Sequence, residues 1–330
     1  MSGIPKVSVI VPIYGVEAFI ERCARSLMEQ TLDGVEYIFV DDASKDGSIV
    51  LLKKVMEKYP AKNKAVSIII HEKNKGLPAA RNTGLEKANG EYIFHCDGDD
   101  FIESNALELL YNAAKENEAD IVWCDWYLTF KKNERRMSEP SFVEPIDALK
   151  SMLGGGMKYN VWNKLVRRKL YTENSIYFPE GYGMGEDMTM ILLFAYAHKV
   201  YHLKRALYHY VKMNTTAFSH TVSQTNFDSL RYNVERISKI LTDLFGDKLK
   251  ENIAFLKLEA KYPFLIIAPD FSLYRQWNKW YPEANRFILK NKSVSLRSRI
   301  VQSCARYRMY WIVWLHYQVV CRFIYGVIYK

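Results

Sequence analysis

The 330-residue chain lacks the short motifs of the commonest enzyme classes. No G-x-G-x-x-G follows its first expected strand, which argues against a dinucleotide dehydrogenase. No P-loop, no G-x-S-x-G and no H-E-x-x-H occurs, so the common hydrolase and zinc routes lose support. Gly154-Gly155-Gly156 has no Lys-Ser/Thr after it and reads as a flexible loop. The five cysteines form no C-x-x-C pair. Cys96 and Cys124 fall in apolar, strand-like runs and are expected to be buried thiols, a pattern that fits a reducing cytoplasm. The N-terminal apolar run Val7 to Ile13 is short and contains Pro12, so no signal peptide is expected. Internal repeats and low-complexity tracts are also absent.

Acidic residues are missing from one long stretch. Between Ala284 and Lys330 there is no Asp or Glu, while nine of the 46 Lys and Arg fall there. The 37 basic residues that remain balance the 37 acidic ones, so the formal charge of +9 belongs to the tail. A basic block usually marks a surface for something anionic. The rest of the composition, 49% apolar and 25% charged, is that of a folded protein. The length suits one large α/β domain plus something smaller.

Apolar periodicity gives the plan. Strands are expected at Val7–Val11, Val35–Val40, Val66–Ile70 and Tyr92–Cys96. Helices are expected near Glu17–Gln30, Ser48–Tyr59 and Pro78–Ala88. This alternation implies parallel pairing through right-handed crossovers. A helix at Ser104–Asn117 and a strand at Ile121–Trp126 continue it. The polar segment Lys131–Pro145 reads as a surface excursion. A helix at Glu186–Ala197 and a strand at Val200–Val211 follow, and from Phe227 the chain reads as mostly helical.

The chemistry centres on Gly90–Asp100, GEYIFHCDGDD, a buried strand ending in Asp97, Asp99 and Asp100. Asp97 and Asp99, two apart in an extended chain, project to one side. Clustered carboxylates repel unless a cation sits among them, and hard oxygen ligands suit Mg²⁺ or Mn²⁺. The plain alternative is an Asp-rich turn helped by Gly98. Tyr14 and Glu17, Asp41 and Asp42, and Arg81 stand at successive strand ends, which on a parallel sheet line one crevice. Carboxylates accept hydrogen bonds from a base and from ribose, an aromatic ring stacks, and a metal with an arginine holds a diphosphate. Read one by one, Asp41 and Asp42 also fit a turn, and Arg81 a solvated helix position.

Residues 6–100 resemble the family 2 glycosyltransferases with the GT-A fold. The matching text is VSVIVPIYGVEAFIERCARSLMEQT, EYIFVDDASKDGS and NKGLPAARNTGLEKANGEYIFHCDGDD. The likeness runs more loosely through Val161-Trp162-Asn163-Lys164-Leu165, GEDMT at 185–189 and Leu207-Tyr208-His209-Tyr210, about two-thirds of the chain. It implies an α/β, Rossmann-like catalytic domain over 1–220 and a mostly helical C-terminal region over 221–330. By resemblance Pro12, Tyr14, Glu17 and Asp42 contact the nucleoside of a nucleotide sugar; two departures are Gly15 where an Asn is usual and Pro78 where a small polar residue is. Arg81 then sits near the diphosphate, Asp97 with Gly98 near the ribose or sugar, and Asp99 binds Mn²⁺ or Mg²⁺. Gly185-Glu186-Asp187 resembles the family's later acidic motif, whose Asp is the general base. Trp162, Lys164 and Glu186 are acceptor-side by the same resemblance, with core packing, surface charge and a helix start as their structural alternatives. His209 or His220 are further candidates for a metal sphere, whereas His198 and His202 read as structural. No Q-x-x-R-W follows, which disfavours a processive synthase.

The expected activity is single-sugar transfer from a UDP-sugar to a hydroxyl on a growing, lipid-linked surface glycan. Two other readings stay open: a non-catalytic nucleotide-sugar-binding scaffold at the membrane, and a sugar-1-phosphate nucleotidyltransferase, whose Gly-rich N-terminal loop is absent. Met309–Tyr329 spans 21 residues with Arg322 as its one formal charge. Its aromatics are spread along its whole length, not gathered at two interfaces, which favours a helix lying in an anionic membrane surface at the cytoplasmic face. A core helix and a homo-oligomer contact are the alternatives. No nucleic-acid recognition motif accompanies the charge.

Overall fold

The computed structural model describes residues 3–212 and 223–328. The first half alternates β1 (Val7–Ile13), α1 (Ile20–Met28), β2 (Val35–Asp41), α2 (Ser48–Met56), β3 (Val66–Ile70), α3 (Leu77–Lys87) and β4 (Tyr92–His95). Every residue of β1 and β4 is buried. Strands apolar on both faces need cover on both sides, and parallel pairing with crossover helices provides it. The register is parallel throughout this half, β1 against β2 and β4, and β2 against β3.

The parallel run stops at β4. After β5 (Phe101–Ile102), α4 (Ala106–Glu116), β6 (Ile121–Thr129), β7 (Glu134–Met137) and α5 (Pro145–Leu153) comes β8 (Lys164–Arg167), which inserts antiparallel between β4 and β6. No strand was expected there, because Asn163 and Lys164 are polar. They are buried all the same, Lys164 donating from Nζ to the Asn160 carbonyl and to Asn163 Oδ1, both at 2.7 Å. Beyond α6 (Arg168–Glu173) and α7 (Thr189–Tyr196), β9 (Val200–Val211) pairs parallel with β6. The sheet order is β3-β2-β1-β4-β8-β6-β9-β5, with β7 pairing β6 from the side.

Residues 131–145 are less of an excursion than expected. Glu134–Met137 folds back on β6 as β7. The segment after it is pinned at a bulge in β6, where Asp125 accepts from Arg136 Nη2 at 2.8 Å and from the Glu139 N–H at 3.0 Å. His202 closes the same cluster with Nε2 3.0 Å from Asp125 and Nδ1 2.7 Å from Ser141 Oγ, a structural role. Cys96 and Cys124 are buried free thiols.

The chain divides into two compact units: residues 1–148 with 159–233, and residues 149–158 with 234–330. The expected boundary between 220 and 221 lies outside the described residues. The second unit is helical, built on the end of α8 (Gln224–Phe245), α9 (Lys250–Lys261), α10 (Pro263–Ile266), α11 (Phe271–Lys279), α12 (Leu296–Arg306), α13 (Tyr310–His316) and a π-helical run Tyr317–Ile328. Capping explains two of its starts: Asp270 accepts from the Ser272 N–H, and Ser295 from the Ser298 N–H. Among the described residues no helix is long and apolar enough to cross a membrane.

Candidate active site

The ends of β1 and β2 are laced together by their loops. Pro12 is buried in β1 and Tyr14, just beyond it, is 54% exposed. The Gly15 N–H donates to Ser44 Oγ at 2.9 Å and the Glu17 N–H to Asp46 Oδ2 at 3.0 Å. Glu17 reciprocates, its carboxylate accepting from the Gly47 N–H at 2.8 Å. Glu17 therefore braces the 44–48 loop in this structure and leaves Tyr14 as the presented ring.

Asp42 is turned inward. Its carboxylate accepts from the Lys75 and Gly76 N–H groups, both at 2.8 Å, and lies 2.7 Å from His71 Nδ1. Such saturation shapes the loop that enters α3. Asp41, one residue earlier, takes a single N–H, from Ser44 at 2.9 Å, and has the greater capacity to accept from a ligand.

Helix α3 delivers two consecutive side chains to the site. Arg81 is 2% exposed, not solvated. Its Nη2 donates to Asp97 Oδ1 at 2.9 Å and lies 3.8 Å from Glu186 Oε1. Its Nε and Nη1 are buried with no partner among the described residues. Asn82 clamps the segment that leads to the acidic turn, exchanging hydrogen bonds with the Phe178 backbone at 3.0 and 2.9 Å and donating to Glu180 at 3.0 Å.

At the end of β4, Asp97 and Asp99 are partly buried and Gly98 fully so. A Cβ on Gly98 would come 3.0 Å from the Pro12 carbonyl oxygen, so the close crossing of the two strand ends favours glycine. Asp100 faces the core, accepting from Tyr208 Oη and the Val211 N–H at 2.7 Å each. Tyr208 Oη accepts in turn from the Asp97 N–H at 3.1 Å. This tyrosine, which fixes the whole acidic turn, belongs to the Leu207–Tyr210 stretch but had no role assigned from sequence.

The second acidic group sits on a 3-10 turn, Glu186–Met188, ahead of α7. Gly185 opens it at φ 83°, where a side chain would be strained. Asn233 on α8 holds the approach, donating to the Tyr182 and Met184 carbonyls at 3.1 and 3.0 Å. Burial, the Asp187 charge beside it and an opposing pull from Arg81 leave the Glu186 carboxyl pushed up to about 8. Burial raises Asp187 to about 6, with Arg81 and Lys164 holding it down. Burial lowers the Lys164 ammonium to about 8. Arg81 is thus the hub that links Asp97 at one strand end to Glu186 on the turn.

Trp162 is 7% exposed. It stacks on Tyr208 at 4.5 Å and Tyr210 at 5.3 Å, with Trp126 edge-on at 5.1 Å, so packing accounts for its surface. His209 lies 2.8 Å from Glu134 and 2.9 Å from Glu103 through its two ring nitrogens, and its faces stack on Phe101 and Tyr127. Both nitrogens are committed away from the acidic turn. His220 lies outside the described residues.

Among the described residues no three His, Cys, Asp or Glu side chains form a ready-made metal cage. A Mg²⁺ or Mn²⁺ held by one or two carboxylates and by substrate phosphates needs none. The donor set fits such an ion: burial and the neighbouring Asp99 and Asp97 charges push the Asp100 carboxyl well above its usual range, a surplus of negative charge that a cation relieves.

A sequence model described as Glycosyl transferase family 2 matches residues 8–185, more than half of the chain. The chain belongs to glycosyl transferase family 2. The match takes in the strand ends described above and stops one residue before Glu186. Among curated relatives, the uncharacterized glycosyltransferase EpsJ of Bacillus subtilis is 37% identical over 217 residues, 63% of this chain and 61% of EpsJ. The chain therefore spans about three fifths of that relative's length. Two solved structures share the fold. TarS of S. aureus in complex with UDP-GlcNAc has a TM-score of 0.69 at 21% identity, covering 95% of this chain and 91% of that one. The mannosyltransferase PcManGT of Pyrobaculum calidifontis in complex with GDP-Man and Mn²⁺ has a TM-score of 0.50 at 17% identity, covering 96% and 88%. The mixed α/β sheet is thus that of the GT-A glycosyltransferases, followed by a mostly helical C-terminal region.

Proposed function

We propose that this chain is a metal-dependent inverting glycosyltransferase that moves one sugar from a UDP-sugar to a hydroxyl of a growing, lipid-linked surface glycan. The observation that carries the reading is Arg81, a buried guanidinium that joins Asp97 to the Glu186–Asp187 turn and keeps two N–H-bearing nitrogens without partners among the described residues. Those donors suit the oxygens of a diphosphate. Tyr14 and Asp41 would meet the base, with Pro12, Gly98 and Asp97 shaping the ribose side, while Glu17 and Asp42 act through the loops they hold. Asp99 would carry the metal, which when bound supplies positive charge for the departing diphosphate.

Asp187 is the proposed general base. A carboxylate pushed up to about 6 is still ionised at neutral pH yet more basic than an ordinary aspartate. The acceptor hydroxyl gives its proton to Asp187 as its oxygen bonds to the anomeric carbon, and the bond to the diphosphate breaks on the far side, inverting that centre. Glu186, protonated in most molecules at pH 7, can donate a hydrogen bond to the acceptor. Lys164 helps keep Asp187 charged, and Trp162 supports the wall behind Tyr208. A lipid-linked acceptor would place the work at the cytoplasmic face of the cell membrane.

A screen of nucleotide sugars by thermal shift with Mn²⁺, followed by product NMR, tests this. A UDP-sugar that stabilises the chain and slowly hydrolyses is the expected outcome. Donor binding with no hydrolysis and no transfer would favour the scaffold reading, and pyrophosphate release from a nucleoside triphosphate would favour a nucleotidyltransferase.

A further inference from the structure

We infer that α12, α13 and the π-helical run after them form a docking face for an anionic bilayer surface. The argument is independent of the catalytic reading. Among the described residues, nine of the 21 large apolar side chains that are exposed lie between Leu289 and Phe323, about a tenth of the chain. On the last helix they follow one another at 311, 314, 315, 319 and 323, a spacing that keeps them on one side. Trp311 is 64% exposed and Phe323 57%. Val313, on the opposite side, is fully buried, and Asn278 Nδ2 donates to Tyr310 Oη at 3.0 Å. One side of this helix is therefore spent on the second unit, and the other is offered outward. Among the described residues no helix is long and apolar enough to cross a membrane.

Charge selects the occupant. Arg306, Arg308 and Arg322 are exposed within the same stretch, and no acidic residue occurs from 284 to 330. A second copy meeting this face across a two-fold axis would set arginine against arginine. A bilayer rich in acidic lipid accepts the guanidinium groups at its headgroups while Trp311, Trp314 and Phe323 enter the interfacial layer, where tryptophan is favoured. The arginine stems run along the apolar surface and keep their charges wet.

The test is co-sedimentation of the full chain with vesicles of phosphatidylcholine alone or with about one third phosphatidylglycerol. At least tenfold tighter binding to the acidic vesicles is expected. Arg308→Gln with Arg322→Gln should weaken that binding by about fivefold per residue and leave the neutral vesicles unaffected. Trp311→Glu with Phe323→Glu should lose binding to both, with circular dichroism and melting temperature unchanged. Equal binding to both vesicle types, or variants that bind like the parent, would overturn the inference. So would a wild-type dimer in sedimentation velocity that Trp311→Glu converts to monomer, since the face would then be covered by a second copy.

Discussion

Long cationic side chains are buried in both units, and Lys261 and Arg81 are treated differently. In the helical unit Lys261 is fully enclosed and spends its ammonium on the Trp280 carbonyl at 2.7 Å and Asn285 Oδ1 at 2.6 Å, over the Trp277 ring. In the sheet unit Arg81 spends Nη2 on Asp97 and leaves Nε and Nη1 without partners among the described residues. Burying a charge is costly unless its hydrogen bonds are made. Lys261 has its hydrogen bonds made within the fold, whereas under the proposed function Arg81 keeps its remaining donors for the diphosphate. On that proposal the contrast is one between structural and functional burial.

Its sharpest test lies opposite the arginine. Asp187→Asn removes the proposed proton acceptor while keeping shape, so turnover should fall by about 10³-fold with donor affinity kept within a few fold. Single-turnover transfer and donor titration measure the two separately, and an unchanged rate would take Asp187 out of the base role. Next comes the pair of buried cations. Arg81→Lys keeps the charge but loses the fork, and kcat/KM should drop by about 10²-fold. Lys261→Met should do the reverse, lowering stability by about 2–3 kcal/mol as its acceptors lose their donor, with kcat/KM of the folded fraction unchanged. Activity lost equally in both would break the comparison.

How much of this could be read from the sequence follows the same division. The strands β1, β2 and β4 were legible because apolar residues dominate them, Glu36 and His95 being polar exceptions, and the acidic turn was legible through the order of the strand ends before it and the family resemblance. Strand β8 was not, since the burial of Asn163 and Lys164 depends on partners supplied from Asn160 and Cys124 by the fold. Asp42 was singled out by the family resemblance as a nucleoside contact, but which of the two aspartates turns inward is decided by the Lys75 and Gly76 N–H groups, a contact 33 and 34 residues away in the chain. Asn82, Tyr208 and Asn233 position the site by binding backbone, and a single asparagine or tyrosine in a sequence carries no mark of such a task.

The pH dependence of the acidic turn should sharpen the contrast further. For catalysis, kcat/KM should fall about tenfold per unit once the pH drops below about 6, as Asp187 takes up its proton. Stability runs the other way. Glu186 is raised from 4.5 to about 8, so the folded state binds the extra proton between these values. Its contribution is full below pH 4.5 and is lost as the pH rises through about 8. Chemical denaturation between pH 5 and 8 should show stability declining in the parent and a flatter profile in Glu186→Gln. Parallel profiles would mean that the carboxyl is already ionised in the folded chain.

The smallest effect is expected where a positioning residue acts through backbone alone. Asn233→Ala removes the donors that hold the Tyr182 and Met184 carbonyls but leaves Gly185 φ and both acids in place. The neighbouring stack of Tyr182 on Tyr232, with ring centroids 3.6 Å apart, retains part of the restraint. Turnover should therefore fall by about fivefold, equivalent to about 1 kcal/mol of misplacement, with donor affinity unchanged because the strand ends that meet the nucleotide are untouched. Asn233→Asp should not rescue it, since a carboxylate cannot donate to two carbonyls and adds charge near Glu186. If Asn233→Ala weakened donor binding as much as turnover, the turn would have to be counted part of the nucleotide pocket, and the separation between Arg81 as ligand-facing and Asn233 as scaffold would fail.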